Sequence, residues 1–226
     1  MTMTLRVEDL AVRAPNGRIL VTCGRFSAAP GETIGLRGPS GAGKSTFLYA
    51  LAGLQPGMTG HVDWNGTDLT PLGDGDRARF RRENIGLIFQ DFLLFEELSA
   101  FGNATLATAF NKAAKRRSIR DTAKSFLAKL GVPADRRTVD SFSGGERQRT
   151  GIARALAHDP AIILADEPTA SLDRKTADAL IEDLVTLARA EAKTLIAVSH
   201  DPHLLERMDR VIEIADGRLE TEASPA

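Results

Sequence analysis

Gly38-Pro39-Ser40-Gly41-Ala42-Gly43-Lys44-Ser45 is the stretch on which the fold turns. It has the spacing G-x-x-x-x-G-K-[ST] and follows the short apolar run Thr33-Ile34-Gly35-Leu36. A helix is expected straight after it, over 45–54. Strand, glycine loop and helix in that order make a phosphate cradle. The glycines let successive backbone N–H groups converge on phosphate oxygens with no Cβ in the way. The helix adds the positive end of its dipole. Gly38, Pro39, Ser40, Gly41, Ala42, Gly43, Lys44, Ser45 and Thr46 are therefore the candidate nucleotide-binding residues. Lys44 supplies a point charge for the β- and γ-phosphates, and the Ser45 hydroxyl can ligate Mg2+. A glycine-rich turn with an accidental lysine would lack this strand–loop–helix setting.

Downstream, the apolar run Ala161-Ile162-Ile163-Leu164-Ala165 ends in two adjacent carboxylates, Asp166 and Glu167. The carboxyl ends of parallel strands are where such sheets bind ligands. Side chains alternate faces along a strand, so the two acids take different roles. Asp166 suits the Mg2+ shell, commonly through water. Glu167 suits the general base that orients and deprotonates an attacking water. His200 closes another apolar run, Leu195-Ile196-Ala197-Val198-Ser199, and reads as a γ-phosphate contact in the same crevice.

Upstream of the acid pair stands Phe142-Ser143-Gly144-Gly145-Glu146-Arg147-Gln148-Arg149, opening a helix expected over 146–157. Ser143 is a fitting N-cap, because its side-chain oxygen can accept from an N–H of the first turn. The two glycines expose backbone N–H groups at a positive helix end, so this is a second anion site. One chain with two phosphate-binding devices has more than a generic phosphate-loop enzyme needs.

Around these motifs the chain alternates strand and helix. Runs at 33–36, 85–89, 161–165 and 194–198 are continuously apolar, as parallel strands buried on both faces are. Segments 5–12, 20–28 and 60–64 read as an antiparallel layer. Asn16-Gly17, Asn65-Gly66 and Asp216-Gly217 suit two-residue hairpin loops there. Leu180, Ile181, Leu184, Leu187 and Ala188 recur on one helical face. From about 91 to 158 the strand signals vanish, which reads as a helical subdomain. The expected organisation is one domain over 1–226. Its α/β core spans about 1–90 and 159–220, with the helical subdomain inserted over about 91–158.

The 226 residues carry a net charge of −1 and a pI near 6.4, so no basic field recruits nucleic acid, and none is expected as a partner. Cys23 stands alone, without a disulfide framework, and suits a small buried apolar position. The N-terminus carries charge by residue 6 and is not expected to be a signal peptide. No 18 apolar residues run consecutively, so work at a membrane is expected to pass through a partner. Residues 222–226 read as a loose tail.

The order of these motifs resembles that of the ABC ATPase family, from residue 5 to about 219. In that light Gln90 looks like the family's Q-loop glutamine, linking Mg2+ and water to a transporter contact. Ser143, Gly144, Gly145 and Glu146 look like the signature, Ser171-Leu172-Asp173 like the D-loop, and His200 like the switch histidine. The resemblance implies a P-loop NTPase core with a mostly parallel sheet, an antiparallel β layer and an inserted α-helical subdomain. It implies ATP and Mg2+, with Glu167, His200 and Gln90 as catalytic residues and Ser45, Gln90 and Asp166 at the metal. Two copies, or this chain and a related ATPase subunit, would sandwich two ATP molecules between one subunit's phosphate loop and the other's signature. Asp173 would lie at the dimer seam. The implied work is ATP hydrolysis coupled to a separate transmembrane permease, on the cytoplasmic face of the cell membrane. The alternative is a mechanotransmitting ATPase that regulates a membrane partner without transport.

Arg81-Arg82-Glu83-Asn84-Ile85-Gly86, Leu98-Ser99-Ala100-Phe101-Gly102-Asn103 and Glu146 look closer to the lipoprotein-release, macrolide-export and cell-division branch. There are two departures from the family pattern. Ala14 falls where the family carries an adenine-stacking aromatic, which predicts weaker or less base-selective nucleotide binding unless Arg13 or another side chain covers the ring. Phe142 replaces a leucine, a tolerable exchange. Phe92, Leu93, Leu94 and Phe95 fit either a permease groove or packing in the helical region. Lys112, Lys115, Arg116, Arg117 and Arg120 fit a solvated helix face better than a membrane or permease contact.

Overall fold

A computed structural model describes residues 2–133 and 137–219. The tail expected at 222–226 lies outside the described residues. The fold begins with an antiparallel pair, β1 (Leu5–Arg13) and β2 (Ile19–Ala28), followed by β3 (Thr33–Arg37) and α1 (Lys44–Leu51). Next come β4 (Met58–Trp64), β5 (Thr67–Asp68), α2 (Asp74–Asn84) and β6 (Ile85–Ile88). Between β6 and β7 (Ile162–Asp166) the described residues hold no named strand. They form α3 (Ala100–Ala104), α4 (Ala113–Lys129), α5 (Gly144–Leu156) and two short 3-10 turns. The chain closes with α6 (Arg174–Ala190), β8 (Thr194–Val198), α7 (Pro202–Leu205), β9 (Arg210–Ala215) and β10 (Arg218–Leu219).

The strands form one curled sheet in the order β5-β4-β1-β2-β10-β9-β3-β8-β7-β6. From β9 to β6 every pair is parallel, whereas β1, β2, β4 and β5 are antiparallel. The α/β class with a mostly parallel sheet and an antiparallel layer is therefore present. Alternation along the parallel strands divides the interior. Ile162, Leu164, Ile196 and Val198 face one hydrophobic cluster with Phe47, Leu48 and Trp64. Ile163, Ala165, Leu195 and Ala197 face the other, with Ile152, Leu156, Leu180 and Leu184 from the helices. Both faces are dry, which is why these runs are unbroken in sequence. Cys23 is buried in the first cluster, and burial pushes its thiol up to about 12.

Turn chemistry accounts for two of the three Asx-Gly pairs. Asn65 and Gly66 take φ of +53° and +89° between paired Trp64 and Thr67. Asp216 and Gly217 take +48° and +72° between paired Ala215 and Arg218. Both are two-residue loops of the primed type. Asn16-Gly17 differs, because Arg13 pairs with Ile19 and only Gly17 has positive φ. Pro15 fixes the first corner of a turn in which Gly17 N–H donates to the Ala14 carbonyl at 2.9 Å. The longer loop carries Arg18 and Leu20 toward the phosphate loop.

Element ends shift where caps decide them. The helix expected over 45–54 stops at Leu51, because Gly53 turns out of it at φ +63°. The helix expected from Glu146 starts at Gly144, set by the Ser143 cap.

Candidate functional site

Parallel pairing brings four strand ends to one edge. Leu36 of β3 pairs with Val198 of β8, and Val198 with Asp166 of β7. Ile88 of β6 pairs with Ala165. The segments leaving these ends, which carry residues 38–45, 167, 200 and 90, are thereby gathered. They line a cavity of about 750 Å³ containing Ser40, Gly41, Gly43, Lys44, Ser45, Thr46, Gln90, Glu167 and His200.

The loop leaves β3 through Gly38 at φ +147°, where a Cβ would lie 2.0 Å from the Ile214 carbonyl oxygen, so only glycine fits. Pro39 and Ala42 complete the turn, with the Ala42 N–H donating to the Pro39 carbonyl at 3.2 Å. Lys44 arches back over the loop, and its Nζ donates to the carbonyls of Gly38 at 2.8 Å and Pro39 at 2.9 Å. The ammonium is thus pinned to the backbone of the loop itself, beside the cavity that Ser40, Gly41 and Gly43 line.

Asp166, 2% exposed, ends β7. Its Oδ1 accepts from the Ser45 hydroxyl at 3.0 Å and its Oδ2 from the Tyr49 hydroxyl at 2.7 Å. Burial and the neighbouring Asp166 raise the Tyr49 pKa, so the phenol stays a donor. A hydroxyl beside a carboxylate is the oxygen donor set that hard Mg2+ prefers, and the site fits that ion.

Glu167 follows in a left-handed conformation at φ +46°. Its N–H donates to the Val198 carbonyl at 3.0 Å, which swings the side chain into the cavity rather than the core. One carboxylate oxygen accepts from the His200 N–H at 3.3 Å, and the other stands 3.5 Å from His200 Nε2. Burial raises the Glu167 pKa, partly offset by those His200 contacts. A base poised upward beside a histidine suits proton transfer from water.

The residues expected to form the signature lie elsewhere. None of Ser143, Gly144, Gly145 or Glu146 lines the phosphate-loop cavity. Ser143 and Glu146 form a capping box: the serine Oγ accepts from the Glu146 N–H at 3.2 Å, and Glu146 Oε2 accepts from the Ser143 N–H at 2.8 Å. These bonds and Arg137 hold the Glu146 carboxyl below its usual range. Asp173 caps α6, accepting from the Thr176 N–H at 3.1 Å.

Several contributors were not read from the sequence. Tyr49 carries no motif signal. Thr169 and Asp201 line the cavity and share a 3.2 Å hydrogen bond. Asp201-Pro202 is a legible start of a helix but not of a site. Arg154 on α5 donates to the carbonyls of Phe92 and Leu93, both at positive φ, just beyond Gln90. Of the apolar run there, Leu94 packs into the second cluster while Leu93 and Phe95 stay exposed, 57% and 56%. Lys112, Lys115, Arg116, Arg117 and Arg120 are all exposed around α4. Arg13 is not among the residues lining the cavity and donates to the Gly17 carbonyl at 3.3 Å, while Arg18 lines the cavity instead.

Residues 24–170 match the ABC transporter family. An ABC transporter ATP-binding protein of Mycobacterium tuberculosis is 42% identical over 195 residues, covering 86% of this chain and 78% of that protein. The lipoprotein-releasing system ATP-binding protein LolD of Coxiella burnetii is 36% identical over 199 residues, covering 88% and 85%. Among solved structures, the dimeric post-hydrolysis ATP-binding cassette MJ0796 bound to ADP and Pi superposes with a TM-score of 0.85. Its sequence is 31% identical, with 96% of this chain and 97% of that one covered.

Proposed function

This chain belongs to the ABC transporter family as an ATP-binding protein, and we propose that it hydrolyses ATP as a dimer to drive a separate membrane permease. The observation that carries the proposal is the convergence of Lys44, Ser45, Glu167, His200 and Gln90 on one cavity, with Asp166 hydrogen-bonded to Ser45 behind it and the expected signature residues outside it. A second copy would then present its own Ser143, Gly144 and Gly145 to complete each site. The relatedness to a dimeric cassette supports that arrangement.

The phosphate loop and Lys44 hold the β- and γ-phosphates. Ser45, Asp166 and Gln90 would hold Mg2+, which when bound neutralises charge building on the phosphate oxygens. Glu167 orients the attacking water and accepts its proton, and His200 contacts the γ-phosphate and steadies Glu167. Closure of two copies requires the γ-phosphate, so hydrolysis releases the clamp. The partner permease is inferred from family membership, from the absence of any described helix long and apolar enough to cross a membrane, and from exposed Leu93 and Phe95 beyond Gln90. In this reading the chain is one domain whose helical insertion, about 91–158, faces the permease at the cytoplasmic membrane surface.

The test is light scattering on the Glu167→Gln variant with and without Mg-ATP. Loss of the base with binding intact traps the closed pair, so a nucleotide-dependent dimer is expected. A monomer with ATP demonstrably bound overturns homodimeric closure and points to an unlike partner subunit.

A further inference from the structure

One polar group at the site has no part in the chemistry above, the hydroxyl of Tyr49. Ser45 and Tyr49 are four residues apart on α1, so their side chains stand one above the other on a single helix face. That face meets the end of β7, and the two hydroxyls divide the Asp166 carboxylate between them, Ser45 on Oδ1 and Tyr49 on Oδ2. An aspartate's terminal torsion is broad, so one donor leaves the carboxylate free to rock, whereas two donors on opposite oxygens fix its plane. The Tyr49 ring also lies 5.9 Å from that of Phe89, the residue before Gln90. A tyrosine is long enough to span from the helix to both strand ends, which a serine or threonine at this position is not.

We propose that Tyr49 is a positioning residue for the metal-dependent part of nucleotide binding. Its hydroxyl holds the Asp166 carboxylate in the rotation that keeps Oδ1 beside Ser45 and turned toward the cation. The proposal rests on the reading of Asp166 as the carboxylate that faces Mg2+. A role confined to satisfying a buried acid would affect folding and leave the metal's contribution to binding untouched.

Binding of the non-hydrolysable ATP analogue AMP-PNP is measured by titration calorimetry in Mg2+ and in EDTA, for the wild type, Tyr49→Phe and Asp166→Asn. Phenylalanine keeps the ring against Phe89 and removes the hydroxyl alone. Partners that orient a metal-holding group typically contribute about 10-fold or more in metal affinity. The affinity gained on adding Mg2+ should therefore fall about tenfold in Tyr49→Phe, with binding in EDTA unchanged. Asp166→Asn should lose that gain more completely. A Tyr49→Phe variant that keeps the full Mg2+ gain while Asp166→Asn loses it overturns the proposal and leaves the reading of Asp166 standing. Equal weakening of Tyr49→Phe with and without Mg2+ also overturns it. If Asp166→Asn retains the gain, the reading of Asp166 fails and the proposal with it.

Discussion

Glu167 bears two costs that its proposed role as base would explain: a carboxylate partly withdrawn from water, and a left-handed backbone that a non-glycine residue adopts at a penalty of order 1 kcal/mol or more. The first cost depends on pH. Because burial raises the folded-state pKa, the ionised form is disfavoured by folding, and stability is lost as pH rises through that pKa. Glu167→Gln keeps the backbone conformation and removes the charge. The variant's melting temperature should thus exceed the wild type's at neutral pH, and the gap should close as pH falls below the ordinary glutamate range. A pH-independent gap would place the effect in packing rather than in the buried charge. A second prediction concerns the base. Among the described residues no Phe, Tyr or Trp lines the cavity, and Ala14 gives its backbone N–H to the Arg18 carbonyl. Aromatic stacking typically contributes about 1–3 kcal/mol per base. Without it, KM for ATP and GTP should agree within about tenfold, and Arg18→Ala should raise both. A hundredfold preference for ATP would require an adenine-specific contact elsewhere. Lys44, Ser45, Asp166 and Glu167 were legible because each sits at a fixed offset from a strand or loop signal. Tyr49 and Arg18 were not, since what makes them matter is a neighbour more than 100 positions away for one and a hairpin geometry for the other.

Between residue and molecule, the segment after Gln90 is shaped by α5. Phe92 and Leu93 take φ of +59° and +47°, and both of their carbonyls accept from the guanidinium of Arg154. Burial lowers the Arg154 pKa, and the two carbonyls are what make a partly buried cation tolerable there. Hydrogen bonds to charged groups contribute roughly 1.5–3 kcal/mol each. Arg154→Met, which keeps the stem, should release this loop, so hydrogen exchange of the amides at 92–95 should quicken by at least about tenfold while β7 stays protected. Unchanged exchange at 92–95 would mean the loop holds its shape by the packing of Leu94 and the hydrogen bonds of Asn103 to the Phe95 backbone. Such a clamp is invisible in sequence, as is α2: a single buried residue, Phe80, gives that helix no apolar period to read. By contrast α6, with Leu180, Ile181, Leu184 and Ala188 buried, declared itself by spacing. The capping box was legible and unread, for Ser143-x-x-Glu146 is the spacing such boxes take.

At the scale of the whole molecule, the alternation of apolar runs implied a parallel sheet, but strand order did not follow from it. The position of β9 and β10, which join the parallel strands to the antiparallel layer, depends on pairings across the chain such as Arg218 with Thr22. The same distances decide the last prediction. None of residues 143–146 lines the phosphate-loop cavity of its own chain, so in the proposed arrangement the completed site should be shared between copies. Lys44→Ala removes the ammonium from one half. Gly144→Asp places a carboxylate on the other, where a Cβ meets only van der Waals contact with Ser171 at 3.6 Å. An acid in the first turn of α5 also favours the helix dipole, so this variant should fold. Hydrolysis should be lost in each variant alone and recovered on mixing, because a mixed pair holds one site built from the intact loop of one copy and the intact signature of the other. If Gly144→Asp alone hydrolyses like the wild type, or the mixture stays inactive, the site is not shared in this way. The assay needs only phosphate release from purified chains, with the wild type as reference and the Lys44→Ala:Gly144→Asp ratio varied, since recovery should peak where mixed pairs are most abundant.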